Sequence, residues 1–260
     1  MTRIKMIWNK VASTRALYLK YQVNRFVILF VGRTGSSYLL SLLEKHPEIR
    51  AFGEETRVLK EKGSAAQLAW INASLTTPAI GRYGAVGFKT KLVDVIDHLA
   101  FADILKDHQA HIIHMRRRNR VKAVVSRINA QRIWELTNRW NLYNEQDKLP
   151  PLEITPSEFN GLLEEREAVE NELDNFVKRL ELPVLVLYYE DLLVRREAVL
   201  RQVYDYLGVR NYPAQADTLK NTSDDLREVI VNFDQLRAQY AGTPYEPMFD
   251  EVLASEKVNA

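Results

Sequence analysis

From Phe26 to Val31 the chain runs through an unbroken apolar stretch, FVILFV, rich in branched and aromatic side chains. That is the pattern of a parallel strand buried on both faces. Gly32 ends it. Gly32, Arg33, Thr34, Gly35, Ser36 and Ser37 then supply two glycines for close backbone approach, a fixed positive charge and three hydroxyls. Tyr38, Leu39, Leu40, Leu42 and Leu43 continue as a helix, which His46 and Pro47 close. A glycine loop opening a helix offers unpaired backbone N–H groups where an anion is favoured. Shortly beyond it, Gly53, Glu54, Glu55, Thr56 and Arg57 place two carboxylates and a second arginine.

A nucleotide kinase or GTPase begins in the same way, but its loop reads GxxxxGK followed by Ser or Thr, the lysine reaching the terminal phosphates. No lysine follows Gly35; the charge precedes the second glycine, at Arg33. The 260 residues suit one α/β domain, and at 46% hydrophobic residues a sizeable core is expected. A net charge of +2 makes any anion specificity a matter of local clustering. The absence of cysteine excludes a disulfide framework, thiolate zinc and a cysteine nucleophile, and fits a cytoplasmic location. No apolar run approaches the ~20 residues of a membrane span, and the histidines have no spacing that suggests a metal site.

Taken in order, residues 1–24 read as a basic helix packed beside the first strand, with a peripheral membrane contact as the other reading of its apolar stripe. Residues 58–75 look helical with an interruption at Gly63. Ala85 to Lys89 reads as a second strand, Asp94 to Lys106 as an amphipathic helix and His111 to Met115 as a third strand. A basic run follows: Arg116, Arg117, Arg118, Arg120, Lys122, Arg127 and Arg132, with no acid between Asp107 and Glu135. A solvated helix face or a nucleic-acid patch would explain it, but Val121, Ala123, Val124 and Val125 require part of it to face a core. A localised anion pocket fits better. The helix is expected to continue to about Tyr143. Thr155, Pro156, Ser157 and Glu158 form a capping box before a long helix that Pro183 stops, and Val184 to Leu187 reads as a fourth buried strand. A helix over 198–207 ends at Gly208. The segment 210–260 is polar with scattered hydrophobes.

The Arg33 loop, with HPEI and GEE downstream, resembles the 5′-phosphosulfate loop of sulfotransferases that use 3′-phosphoadenosine 5′-phosphosulfate (PAPS), with Gly32 where that family commonly has proline. GEETR at 53–57 is similar to the acid motif of tyrosylprotein sulfotransferases, with one extra residue before the glycine. RNRVKAVVS at 118–126 resembles the family's 3′-phosphate motif and, with Trp134, looks more like bacterial carbohydrate sulfotransferases of the trehalose type. Tyr188–Leu192 resembles the family's YEDL signature. The resemblance implies a P-loop-like three-layer α/β fold and a single sulfotransferase domain over 1–260, in which 210–260 closes over the cofactor. It also implies PAPS as co-substrate and adenosine 3′,5′-bisphosphate as product.

Carried over residue by residue, the resemblance makes Arg33, Thr34, Gly35, Ser36, Ser37, Arg118, Ser126 and Tyr189 cofactor-binding, with Arg227 a further candidate. Glu55 becomes the general base with Glu54 as runner-up, Lys89 a transition-state ligand and Arg57 an acceptor-binding residue. PAPS carries roughly four negative charges, by analogy with phosphoesters, which fixed arginines and helix termini can neutralise without a metal. The acceptor is a hydroxyl on a small molecule, glycan or peptide, and nucleic acid is not an expected partner. Two rival readings stay open: a P-loop kinase, which needs the missing lysine, and a non-catalytic anion or nucleic-acid binding protein, which has no use for Glu54 and Glu55.

Overall fold

The apolar run is the middle strand of the molecule. In the computed structural model, which describes residues 23–76, 83–137, 149–214 and 223–253, it forms β1 (Asn24–Phe30). The sheet is five-stranded in the order β2-β3-β1-β4-β5, with β2 at Ile49–Phe52, β3 at Ala85–Thr90, β4 at His111–Arg116 and β5 at Val184–Tyr188. All neighbours pair in parallel. Phe26, Ile28 and Phe30 point to one face, where α1 (Ser36–Glu44) and α8 (Arg196–Tyr206) supply Leu39, Leu43, Val199 and Val203. Val27 and Leu29 point to the other, against α3 (Ser64–Thr76), α4 (His98–Asp107) and the end of α6 (Pro156–Leu180). Helix, sheet and helix make the three layers expected of α/β architecture.

A third apolar cluster lies beside the sheet. There Val121, Val124 and Val125 of α5 (Arg120–Thr137) and Phe159 and Leu163 of α6 meet Leu226, Val229, Phe233, Leu236 and Phe249 of the C-terminal segment. The scattered hydrophobes of that segment are the face it buries, including two short helices, α9 (Phe233–Ala238) and α10 (Glu246–Asp250).

The structure corrects the sequence reading in three places. β2 is an additional strand, short and with Arg50 exposed, held by pairing with β3 rather than by any apolar pattern of its own. The helix expected from Asp94 begins at His98, because Asp97 caps it by accepting from the Ala100 N–H at 2.9 Å, while Asp94 belongs to a 3-10 turn. β5 is an edge strand whose Val184 and Val186 remain exposed, not a strand buried on both faces. The basic helix read over 1–24 falls on residues 1–22, outside the described residues, as does the extension of α5 beyond Thr137. No helix among the described residues is long and apolar enough to cross a membrane.

The sheet order places the loop after β1 and the segment after β4 side by side. β1 connects towards β2 and β3, β4 towards β5, so the strand order reverses between them, the position where open parallel sheets bind ligands at their carboxyl ends. Close approach of β3 to β1 depends on Gly87: a Cβ there would lie 2.1 Å from the Phe26 carbonyl oxygen and 2.5 Å from its ring. Gly87→Ala should therefore lower stability by about 1–3 kcal/mol, the usual range for overpacking. A urea unfolding midpoint unchanged from wild type would contradict this account of the β1–β3 contact.

Candidate active site

The loop after β1 turns through two left-handed residues, Arg33 (φ 65°) and Gly35 (φ 79°), before α1 begins at Ser36. The first is unusual for a residue with a side chain and is the kind of strain found at functional sites. The second requires glycine, since a Cβ at Gly35 would meet the Tyr189 ring at 2.3 Å. Thr34 is buried and spends its hydroxyl on the Val31 carbonyl (2.9 Å), which fixes the turn. Gly32 has open space at its Cβ position.

Arginines gather around this loop. The Arg33 Nε donates to the Ser126 Oγ of α5 at 2.9 Å. Arg117, at the end of β4, donates from Nη1 to the Arg33 carbonyl (3.2 Å) and lies over the Tyr189 ring, 4.9 Å from its centroid. Arg166, from α6, donates from Nη1 to the Gly32 carbonyl at 3.0 Å. Burial, reinforced by the Arg117 charge, lowers the Arg33 pKa to about 10; burial likewise lowers that of Arg117. Arginine stays protonated in proteins, so both are desolvated cations at the loop, with Glu190 4.0 Å from the Arg117 Nε. Burial also raises the Tyr189 phenol, against the opposing pull of Arg117 and Arg33.

A second group faces the loop from the β3 side. Lys89, buried at the end of β3, donates from Nζ to the Ser37 Oγ (2.8 Å) and pairs with the Glu54 Oε1 (2.9 Å). Lys91 pairs with the other Glu54 oxygen at 3.4 Å. Burial pushes the Glu54 carboxyl upward, but the two lysines outweigh it and hold the pKa below the usual carboxylate range. Glu54 precedes the short helix α2 (Glu55–Leu59), and Glu55 is that helix's first residue, exposed to the cleft. The Thr56 and Thr90 hydroxyls bond at 2.7 Å, and the Gln67 amide nitrogen donates to the Thr56 carbonyl, so α2 is pinned to β3 from behind.

A third group shows what the YEDL turn does. It opens α7 (Tyr189–Val194), and the buried Glu190 carboxylate accepts from the backbone N–H groups of Arg118 and Asn119, each at 3.1 Å. The Asn119 side chain caps α5 by accepting from the Lys122 N–H at 2.7 Å.

The cleft enclosed by these groups has a volume of about 1140 Å³. A single small-molecule pocket typically spans ~300–1,000 Å³, so the space suits a nucleotide with an acceptor beside it. Gly35, Ser36, Ser37, Arg33, Ser126, Tyr189, Glu54, Glu55 and Arg57 all line it. Lys89 reaches it through Ser37 and Glu54. Arg118 is not brought together with Ser126: half-exposed, it pairs with Asp191 at 2.6 Å and lies over the Tyr188 ring. Arg227 is also placed elsewhere, exposed and paired with Asp250 at 2.5 Å, although the adjoining Leu226 and Ser223 do line the cleft.

Among the cleft residues that the sequence reading did not assign to the site are Arg117, Lys122 and Arg166. Arg117 and Lys122 stand inside the basic run, and only the register of β4 and α5 selects them from their neighbours. Arg166 stands on a helix whose charges read as a solvated face; its helical alignment with Leu162, Val169 and Leu173 was the available signal.

No family model matches the chain. In sequence it is 27% identical over 240 residues to Nodulation protein H of Rhizobium tropici, covering 86% of this chain and 92% of that protein. Among solved structures it is similar to a sulfotransferase from Alicyclobacillus acidocaldarius, with a TM-score of 0.44 and 17% identity over 87% of this chain and 93% of that one. Mouse sulfotransferase SULT7A1 complexed with PAP gives a TM-score of 0.39 and 13% identity over 90% and 77% of the two chains. Sulfotransferase STF9 from Mycobacterium avium gives 0.42 and 13% over 90% and 79%. Along most of its length, then, the chain is similar in sequence to Nodulation protein H.

Proposed function

We propose that the protein is a PAPS-dependent sulfotransferase, one domain over 1–260, that moves a sulfonate onto a hydroxyl of a small molecule, glycan or peptide. The observation that carries this reading is the meeting of two side-chain groups at one loop: Arg33, Arg117 and Ser126 on the α5 side, and Ser37, Lys89 and Glu54 on the β3 side. The first suits the phosphates of a nucleotide and the second a reacting centre. The residues fit such a co-substrate, since the Arg117 Nε is buried without a hydrogen-bond partner beside the loop. A kinase is disfavoured by the lack of a lysine after Gly35.

When bound, PAPS supplies an electrophilic sulfur with a phosphate leaving group. Arg33 and the backbone N–H groups of Gly35, Ser36 and Ser37 hold the phosphosulfate at the start of α1. Lys89, oriented by Ser37 and Glu54, stabilises negative charge developing on the bridging oxygen, the role in which a preorganised donor contributes most. Glu55 takes the proton of the acceptor hydroxyl as the new O–S bond forms; the old S–O bond breaks and its electron pair leaves on the phosphate. Glu54 is less suited to that role, because Lys89 and Lys91 hold it as a weakly basic carboxylate. Arg57 orients the acceptor. Ser126 and Arg117 bind the 3′-phosphate from within the cleft, Tyr189 forms its wall, and Arg118 braces the YEDL turn through Asp191.

Adenosine 3′,5′-bisphosphate should bind in calorimetry without a metal and much more tightly than ATP; tighter binding of ATP with Mg²⁺ would return the kinase reading. Arg33→Ala should weaken bisphosphate binding and turnover together. Arg117→Ala should weaken bisphosphate binding by about 10- to 100-fold, as for a charge-assisted hydrogen bond, and Arg118→Ala by much less. The reverse order would give the 3′-phosphate to Arg118. Glu55→Gln should reduce single-turnover sulfonation by about 10²-fold or more with nucleotide affinity intact. A comparable loss confined to Glu54→Gln would move the base back one residue.

A further inference from the structure

Arg166 is a buried charge on the cleft wall to which the reading above gives no task. It stands on α6 with its side chain 5% exposed, and 134 residues of sequence separate it from the loop carbonyl it binds. Nη1 donates to the Gly32 carbonyl and Nε lies 2.8 Å from the Glu170 Oε1. Nη2 is enclosed and has no acceptor. A buried donor without a partner is costly, more so on a charged group, and on the wall of a cleft a bound group is one way to supply the partner.

Local electrostatics point to an anion. Glu170 is shared, its other oxygen pairing with the Arg120 Nε at 2.8 Å. Burial lowers the Arg166 pKa to about 10 despite Glu170, and the Arg117 and Arg120 charges add to the lowering. Arg166 nevertheless stays a cation at neutral pH; Arg120 has Glu167 as well as Glu170, whereas the Arg166 Nη2 has no acceptor at all.

Position selects which anion. Arg166 is fixed to Gly32, the entry of the loop, whereas the free N–H groups at the start of α1 lie further along the chain. Its helix neighbours Leu162, Glu165 and Val169 line the same cleft that Glu54 and Glu55 enter from α2. We propose that the Arg166 Nη2 donates to a non-bridging oxygen of the sulfonate being transferred, so that α6 supplies a ligand to the migrating group opposite Lys89. This rests on the PAPS reading and adds to it a residue that the sequence motifs do not contain.

The test compares PAPS with adenosine 3′,5′-bisphosphate, which differs by that sulfonate alone. In Arg166→Lys, which keeps the charge and loses the planar fork, PAPS affinity measured by calorimetry should fall by about 10-fold or more. Bisphosphate affinity should stay within about 2-fold of wild type. Arg166→Met, of similar length and without the buried charge, provides a second variant should the lysine form fail to fold, with circular dichroism as the check on both. Equal loss of both ligands would show that Arg166 only shapes the loop through Gly32. Unchanged affinity for both would place its partner on the acceptor. Either result overturns the proposal. If wild type itself fails to prefer the bisphosphate over ATP, the PAPS reading falls first and takes this assignment with it.

Discussion

Two buried carboxylates, Glu170 and Glu190, make it feasible to keep several guanidinium groups out of water around one loop. Glu170 pairs with Arg166 and Arg120, and Glu190 fixes the backbone N–H groups of Arg118 and Asn119, just beyond Arg117. Removing one member of a buried ion pair typically costs about 3–5 kcal/mol, because the partner is left charged and unsolvated. The arrangement is therefore coupled. β4, α5, α6 and α7 meet at the loop, and Arg117 and Arg166, which line the cleft, each keep a buried guanidinium nitrogen without a hydrogen-bond partner.

The opposite wall is built on a different balance. Lys89 is buried yet has two partners, Ser37 from the glycine loop and Glu54 from the segment before α2. One ammonium thus links the glycine loop to the acids. Glu54 is held by two lysines, whereas the adjacent Glu55 projects from the first turn of α2 into the cleft. Adjacent glutamates in sequence thereby meet different environments, and their proposed roles divide accordingly.

The apolar wall of the cleft has its own origin. Leu92 and Val93 follow β3, and Leu162 and Val169 come from α6, so this side of the cleft is bounded by elements that also cover the sheet. Packing that stabilises the fold and the apolar lining of the cleft are parts of the same elements. The C-terminal segment contributes Ser223 and Leu226 and is anchored through Asp224 to Lys122, which ties the end of the chain to the mouth of the cleft.

Much of this was legible in the sequence. The doubly buried β1, the glycine loop, the long capped α6 and the end of α8 at Gly208 follow from local composition, because periodicity and backbone freedom are properties of a few neighbouring residues. Arg33, Ser37, Glu54, Glu55 and Ser126 could be named as site candidates because they lie in short motifs. What no local pattern contains is the direction of a side chain relative to distant elements. Arg117 and Arg118 are adjacent and chemically identical, yet the register of β4 buries the first beside the loop and leaves the second over Tyr188 near the surface. Arg166 reads as one charge among many on α6, and only the packing of that helix against Gly32 makes it part of the site. The sequence by itself determined which groups the chain owns and where the glycine loop begins; the tertiary structure decided which cations are desolvated at that loop, because burial depends on what arrives from elsewhere in the chain.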